Sequence, residues 1–195
     1  MRWSRRRQGS AVQRPEGPAK LPTDIRLSLQ RGESVLAAAQ DDTSPEWLVL
    51  TTFRVLVVVE AGTVGMERGW HEVATGAWDP ESATLSLSWV GGVRAMQWVL
   101  GTRTGPGRVP QVLRERVSAS VVQAREVSVG PRRTARVSVR SVLRTRELID
   151  QVVWGPGSSP TDAELVAEVE KVRAEVRTAV GLPPQRTADD GRGDS

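Results

Sequence analysis

Short runs of alternating apolar and polar residues fill the chain between residues 34 and 100. Leu85, Leu87 and Trp89, for example, alternate with serines, which is the two-residue period of a strand with one buried face. Turn-forming residues separate the runs, among them the pair Gly91-Gly92. The pattern predicts six strands, near residues 34–40, 46–52, 54–60, 69–78, 84–90 and 93–100. Short strands at this spacing are typical of a β-barrel or a β-sandwich.

The period of the apolar residues changes after residue 100. A helix is predicted over 109–119, because Pro110 suits a first helical turn and apolar residues then recur at helical spacing. Strand-like segments follow at 121–129, 135–143 and 147–154. The turn Gly130–Arg133 is predicted to join the first two of them.

The last predicted element is a helix with a long apolar stripe. The stripe consists of Leu165, Val169, Val172, Val176 and Val180. Two start signals precede it: Thr161 and Glu164 match a capping box, and Ser159 stands before Pro160. Gly181 is expected to end the helix.

Together these elements predict an α+β fold. Residues 23–120 are expected to form a β-barrel closed by the helix near Pro110. Residues 121–181 are expected to add an accessory β-β-β-α unit. The tails, residues 1–22 and 182–195, are polar and rich in glycine and proline, and the first is basic, so both are predicted to be disordered.

Composition narrows the classes of function. The 195 residues include no cysteine and one histidine, so neither a disulfide framework nor a conventional zinc site is expected. No apolar run approaches the roughly 18 residues that span a bilayer, and the N-terminal arginines are not followed by a secretory signal. We therefore expect a cytoplasmic protein with no metal and no small-molecule cofactor.

Positive charge is concentrated in the middle of the chain. Residues 105–146 hold ten arginines against two glutamates. Alternation along 135–143 places several of them on one face of a strand, and others lie at the adjoining turn or on the paired strand. A strip of this kind is a candidate surface for phosphates or for an acidic protein. The candidate partner-binding residues are Arg125, Arg132, Arg133, Arg136, Arg140 and Arg144.

The same strip has a second interpretation. Glu126, Glu147 and Asp150 lie on flanking strands, where they can pair with the arginines across the sheet. Such pairs would leave a solvated face with no binding role. No aromatic residue interleaves the arginines, as is usual in proteins that bind single-stranded nucleic acid.

No group of residues predicts catalysis. His71 is the only histidine, and on a strand over 69–78 its neighbour Glu72 would point to the opposite face, leaving His71 without an orienting acid. The glycine-rich stretch 101–108 lacks the lysine and the hydroxyl residue that a phosphate-binding P-loop requires. We therefore expect a protein that is not an enzyme.

Tryptophan is abundant, with seven residues and no tyrosine. Trp47, Trp70, Trp78, Trp89 and Trp98 all fall in the predicted barrel. Tryptophan can stack on nucleic-acid bases, but positions on strands favour a role in filling the core or its helix-covered opening.

Two stretches resemble bacterial members of the pleckstrin-homology-like (PH-like) superfamily. Thr51–Val57 is similar to their strand–turn–strand junction, L-T-x-x-R-L followed by a hydrophobic residue, and Gly69–Val73 is similar to their I-P-W/Y-x-x-I strand. The chain is also similar to a group of uncharacterised actinobacterial proteins that share Trp70–Pro80 and Pro110–Val121. That resemblance covers about residues 21–180. It implies a PH-like barrel capped by a helix.

The sequence departs from phosphoinositide-binding relatives at the first turn. Where they carry a basic loop, this chain has Asp41, Asp42 and Glu46, whose negative charge would repel a phosphate headgroup. We therefore expect a non-enzymatic interaction module that binds or scaffolds another protein, or a second copy of itself. The alternative is binding of nucleic acid or of an acidic membrane surface through the arginine-rich sheet at 125–146.

Overall fold

The computed structural model describes residues 21–59, 62–92 and 94–183. In this part of the chain ten strands form three antiparallel sheets, accompanied by two α-helices. The strands are β1 (Val35–Gln40), β2 (Trp47–Thr51), β3 (Arg54–Val58), β4 (Val64–Gly69), β5 (Val73–Asp79), β6 (Thr84–Trp89), β7 (Met96–Val99), β8 (Val121–Gly130), β9 (Arg133–Ser141) and β10 (Leu148–Trp154). The helices are α1 (Val109–Ser120) and α2 (Ala163–Ala179). The α+β class is therefore confirmed. No helix among the described residues is both long and apolar enough to cross a bilayer.

The first seven strands form two sheets, β1-β2-β3-β4 and β5-β6-β7, instead of the closed barrel predicted from the sequence. The sheets separate at a 3₁₀ turn, Trp70–Glu72, inside the stretch predicted to be one strand. There the Glu72 carboxylate accepts a hydrogen bond from the backbone N–H of Gly69 at 2.6 Å. This local bond competes with strand pairing, so β4 ends and β5 begins on either side of it. The alternation of apolar and polar residues does not predict such a turn. β4 was not predicted from the sequence either.

The central core lies between these two sheets and is closed on one side by α1. Trp70, Trp89 and Trp98 are buried in it. Val112 and Leu113 of α1 belong to the same cluster, as the helical spacing predicted. Burial of these large side chains supplies most of the driving force for the fold.

The outer face of the first sheet is also buried. Its cluster consists of Ala38, Trp47, Val49, Leu56 and Val58. The extended segment 21–29 covers this face with three apolar side chains, those of Leu21, Ile25 and Leu27. Trp47 thus packs outside the sheet and not in the central core as expected. Leu21 falls within the tail predicted to be disordered, and residues 1–20 of that tail lie outside the described residues.

The third sheet, β10-β9-β8, packs one face against α2. Leu165, Val169 and Val176 of the predicted stripe are buried there, with Val172 and Val180 partly buried beside them. The N-cap of α2 is Asp162, whose carboxylate accepts the N–H of Leu165 at 3.2 Å, so neither Ser159 nor Thr161 is the cap. The turn joining β8 and β9 is as predicted. Leu182 packs on the same cluster, and residues 184–195 lie outside the described part.

Candidate functional site

The structure distributes the six predicted arginines over several environments. Arg133 forms a two-pronged pair with Asp162, with N–O distances of 2.7 and 2.8 Å, and also reaches Glu164 at 2.8 Å. This guanidinium holds the pKa of Asp162 at about 2. The Arg133 charge is thus paired with carboxylates of the same chain, and these contacts connect the start of α2 to β9.

Four others lie near the surface of the third sheet or the turns beside it. Arg125 lies 3.6 Å from Glu175 of α2, and Arg136 lies 3.5 Å from Glu126 on the neighbouring strand. Arg144 donates to the side-chain oxygen of Gln30 at 2.9 Å. Arg132 occupies the β8–β9 turn with a positive φ of 57° and is exposed. The cross-strand pairing weighed in the sequence analysis is therefore present at Arg136.

Arg140 is buried, with 5% of its surface exposed. It lies on the face of β9 opposite to α2 and points into the junction with the first two sheets. Among the described residues no carboxylate pairs with it; instead it donates to backbone carbonyls and to one serine hydroxyl. Burial, assisted by the charge of Arg136, lowers the pKa of Arg140 to about 10. Arg140 therefore cannot contribute to an open strip of arginines.

His71 lies at this junction, in the 3₁₀ turn. Burial lowers the pKa of His71; the Arg140 charge acts in the same direction, whereas Glu72 and Glu147 oppose it. The Nδ1 atom is buried and has no hydrogen-bond partner in the described structure. Glu72, predicted to point away from His71 on a strand, instead bonds Gly69 and pairs with Arg68 at 2.9 Å. Among the described residues no acid forms a hydrogen bond with the ring, which is what a general base would need.

The glycine-rich stretch at 101–108 binds a carboxylate of its own chain. The N–H groups of Gly101, Thr102 and Arg103 donate to Asp42 at 2.7 to 2.9 Å. Burial raises the pKa of Asp42, but these three bonds outweigh it and leave the pKa lowered. The backbone N–H groups that this loop could offer to an anion are therefore bound to the carboxylate of Asp42.

This contact gives a stability prediction. Asp42→Ala is expected to lower the free energy of unfolding by about 1 kcal/mol, because three N–H groups lose a charged acceptor while partial exposure screens the interaction. Because the folded pKa is depressed, the contribution is complete above the unfolded value near 3.9 and is lost as pH falls through the folded pKa. Urea unfolding measures it, with Glu81→Ala on an exposed turn as the control. Equal effects of the two variants would show that Asp42 does not hold the loop.

One edge of the second sheet is formed by β5. β5 pairs only with β6, and α1 packs on one face of the strand at Gly76. The middle of the strand, Thr75–Ala77, is exposed. A free strand edge presents backbone N–H and C=O groups that can pair with another strand.

A groove of about 410 Å³ runs between β5 and α1. The strand contributes Gly76 and the half-buried Trp78. The helix contributes Pro110, Gln111, Leu113, Arg114, Val117 and Ser118. Arg114 forms no ion pair with any described residue, so the one charged lining group keeps its charge available.

Gly76 determines how closely the two walls approach. A Cβ atom at this position would lie 2.9 Å from Cδ2 of Leu113 and 3.2 Å from Cδ2 of Leu87. A side chain here would displace the ends of Leu113 and Leu87, so glycine favours the close approach of α1 to the strand. The groove begins beside that contact.

The sequence pattern did not predict this groove. Trp78 was expected to fill the core or its helix-covered opening, and it packs on the central core beside α1. The exposed residues of β5 were not predicted to differ from the rest of the strand. One signal was present, because Thr75–Asp79 lacks the strict alternation of Thr84–Trp89. A weaker alternation fits an edge strand with a half-covered face.

No family model and no curated protein matches the chain. One solved structure to which it is similar is the FERM and C-terminal domain complex of Drosophila Merlin, at 12% sequence identity and a TM-score of 0.35. The match covers 49% of this chain and 30% of that protein. Neither a family nor a function follows from a likeness of this size.

Proposed function

We propose that this protein is a non-enzymatic interaction module with a PH-like core, and that it binds an extended segment of a partner protein. The order of elements supports the PH-like assignment. A four-stranded sheet is followed by a three-stranded sheet and then by a helix that packs on the core between them. The stretches Thr51–Val57 and Gly69–Val73, which resemble bacterial PH-like proteins, lie at the corners of that arrangement.

The observation that carries the proposal is the free edge of β5 beside the groove. A partner segment can add to this edge as a further strand, and backbone hydrogen bonds would supply affinity that does not depend on its sequence. Its alternate side chains would enter the groove, where Trp78 and Leu113 offer apolar contact and Arg114 offers a charge. Half-buried aromatic residues and arginines are the usual anchors of such interfaces.

The absence of an enzymatic role is part of the same proposal. The described residues bring no nucleophile, base and orienting acid together around His71, and no cluster of metal-binding side chains is found among them. A module that binds protein requires none of these groups. Binding of nucleic acid or of an acidic membrane through the arginine-rich sheet is the less favoured alternative. Arg125, Arg133 and Arg136 have acidic neighbours, and Arg140 is buried.

The proposal is tested with peptides selected on the purified protein from a random library of extended peptides. The double substitution Trp78→Ala, Arg114→Glu is expected to weaken the selected peptides by about tenfold or more, as loss of a central anchor does. N-methylation of alternate peptide amides should abolish binding in one register and spare it in the other, because successive N–H groups of a strand point to opposite edges. Fluorescence titration measures both effects.

Gln97→Ala is the matched control, since Gln97 lies on β7, away from the groove, and is exposed. It should leave peptide binding unchanged. If the peptides bound the double variant and the native protein equally, the proposal that they bind in the groove would be refuted. Selection of no peptide at all, with binding of single-stranded DNA that weakens steeply with salt, would favour the arginine-rich sheet instead.

A further inference from the structure

Both walls of the groove meet a single side chain at one end. β5 begins at Val73, directly after the 3₁₀ turn that starts at Trp70, and α1 ends at Ser120. These three residues belong to the first two sheets and their helix. The side chain that joins them is Arg140, which comes from β9 in the third sheet.

The guanidinium of Arg140 contacts both walls at hydrogen-bond distance. Its Nη2 donates to the carbonyl oxygens of Trp70 at 2.8 Å and of Val73 at 3.2 Å, at the start of β5. The same atom donates to Oγ of Ser120 at 2.7 Å, and Nε donates to that oxygen at 3.1 Å. The end of α1 and the start of β5 are therefore held by one planar group of fixed dimensions.

The chemistry of this contact is unusual for a purely structural role. A buried charge is ordinarily paired with an opposite charge, and a packed apolar side chain is often equally good for stability. Here neutral acceptors from two different elements share the guanidinium. A rigid fork with several donors fits the need to fix a distance between two elements better than it fits the need to add stability.

Arg140 also has a defined position in the third sheet. It lies on the central strand, and its neighbour Val139 packs on the other face of that strand against α2. A shift of the unit formed by residues 121–181 would move the Arg140 side chain. Because Arg140 is bonded to the end of α1 and the start of β5, both walls of the groove would move with it.

We infer that Arg140 is a positioning residue that sets the separation of α1 and β5, so that the unit at 121–181 regulates the width of the groove. The inference rests on the proposed function for its biological meaning. The geometric statement can be tested without any peptide.

The experiment measures the distance between the two walls. The chain has no cysteine, so Ala77→Cys on β5 and Ala119→Cys on α1, both exposed and outside the groove lining, take nitroxide labels selectively. Electron paramagnetic resonance then compares native Arg140 with Arg140→Met. We expect the mean distance to grow by about 2 Å, the size of helix shifts at repacked contacts, and its distribution to broaden.

Two further variants complete the test. Arg136→Met removes an arginine from the same strand and the same face, but from a site 47% exposed, and should leave the distance unchanged. Ser120→Ala removes the acceptor on α1, together with the hydroxyl's own bonds to the carbonyl oxygens of Val117 and Trp70. It should broaden the distribution even if Arg140→Met does not fold. An unchanged distribution in Ser120→Ala, or an equal change in Arg136→Met, overturns the inference. A failed peptide selection with a widened groove would refute the proposed function and leave the role of Arg140 standing.

Discussion

Glu33→Ala is expected to lower the free energy of unfolding by about 3 kcal/mol, since removing the buried member of the ion pair leaves Arg54 with only the exposed carboxylate of Glu67. The Glu33 side chain is fully buried and pairs with Arg54, with N–O distances of 2.9 and 3.0 Å. It also accepts the hydroxyl of Thr51 at 2.7 Å and the backbone N–H of Gln30 at 2.8 Å. The variant leaves Arg54 and Thr51 without these acceptors. Urea unfolding followed by circular dichroism measures the loss.

The same group predicts a pH dependence. Burial raises the pKa of Glu33, but the bonds from Arg54, Gln30 and Thr51 outweigh burial, and the folded pKa is lowered. Its stabilisation is therefore complete above the unfolded value near 4.3 and declines as pH falls through the folded pKa. Glu33→Gln should remove this part of the acid dependence.

Glu67 supplies the control for this prediction. It also pairs with Arg54, but its side chain is 59% exposed. Glu67→Ala should therefore cost little, as exposed ion pairs contribute little. Equal losses for Glu33→Ala and Glu67→Ala would show that the buried pair of Glu33 and Arg54 does not contribute more stability than the exposed pair.

Trp70→Ala should have the largest effect, about 4 kcal/mol, because it removes the transfer energy of a large side chain and leaves a cavity. The side chain is fully buried in the central core, and its indole N–H donates to the carbonyl oxygen of Thr51 at 3.1 Å. Its backbone carbonyl also accepts from Arg140. A cavity here would loosen the turn at which the two sheets separate. Thermal and urea unfolding measure the loss.

Two comparisons separate packing from hydrogen bonding. Trp70→Phe keeps most of the volume and loses the indole N–H, so its cost should be a fraction of that of Trp70→Ala. Trp78→Ala removes a tryptophan that is only half-buried and should cost much less. If Trp78→Ala were as destabilising as Trp70→Ala, Trp78 would be a core residue and the groove assignment would fail.

The two stretches that resemble PH-like proteins have a common physical basis. In the first, Thr51 bonds Glu33 and the N–H groups of Phe53 and Arg54, which closes the β2–β3 turn. In the second, Trp70 is anchored to the carbonyl of Thr51. A Cβ on Gly69 would lie 2.5 Å from the ring of His71, so a side chain at that position would force the ring to move. The two patterns thus describe one three-dimensional contact.

The candidate site was only partly accessible to sequence reasoning. Alternation correctly placed Arg136 and Arg140 on the same face of β9, but it could not show that one end of that face is covered by α1 and the 3₁₀ turn. An arginine on a strand is normally exposed, so nothing local marked Arg140 as buried. The groove was missed for the same reason, since its walls are 38 residues apart in the sequence (Gly76 and Arg114) and meet only through packing.

Local chemistry along the chain was sufficient to determine the class of fold, most strands, both helices and the apolar face of α2, because periodicity and turn residues act within a few residues. Sequence alone did not reveal the turn at Trp70–Glu72, the outward packing of Trp47 or the internal pairing of Arg133. These depend on which groups meet across long separations, where burial and competing hydrogen bonds decide the outcome. The free edge of β5 and the position of Arg140 belong to this second kind, and the proposed binding function depends on them.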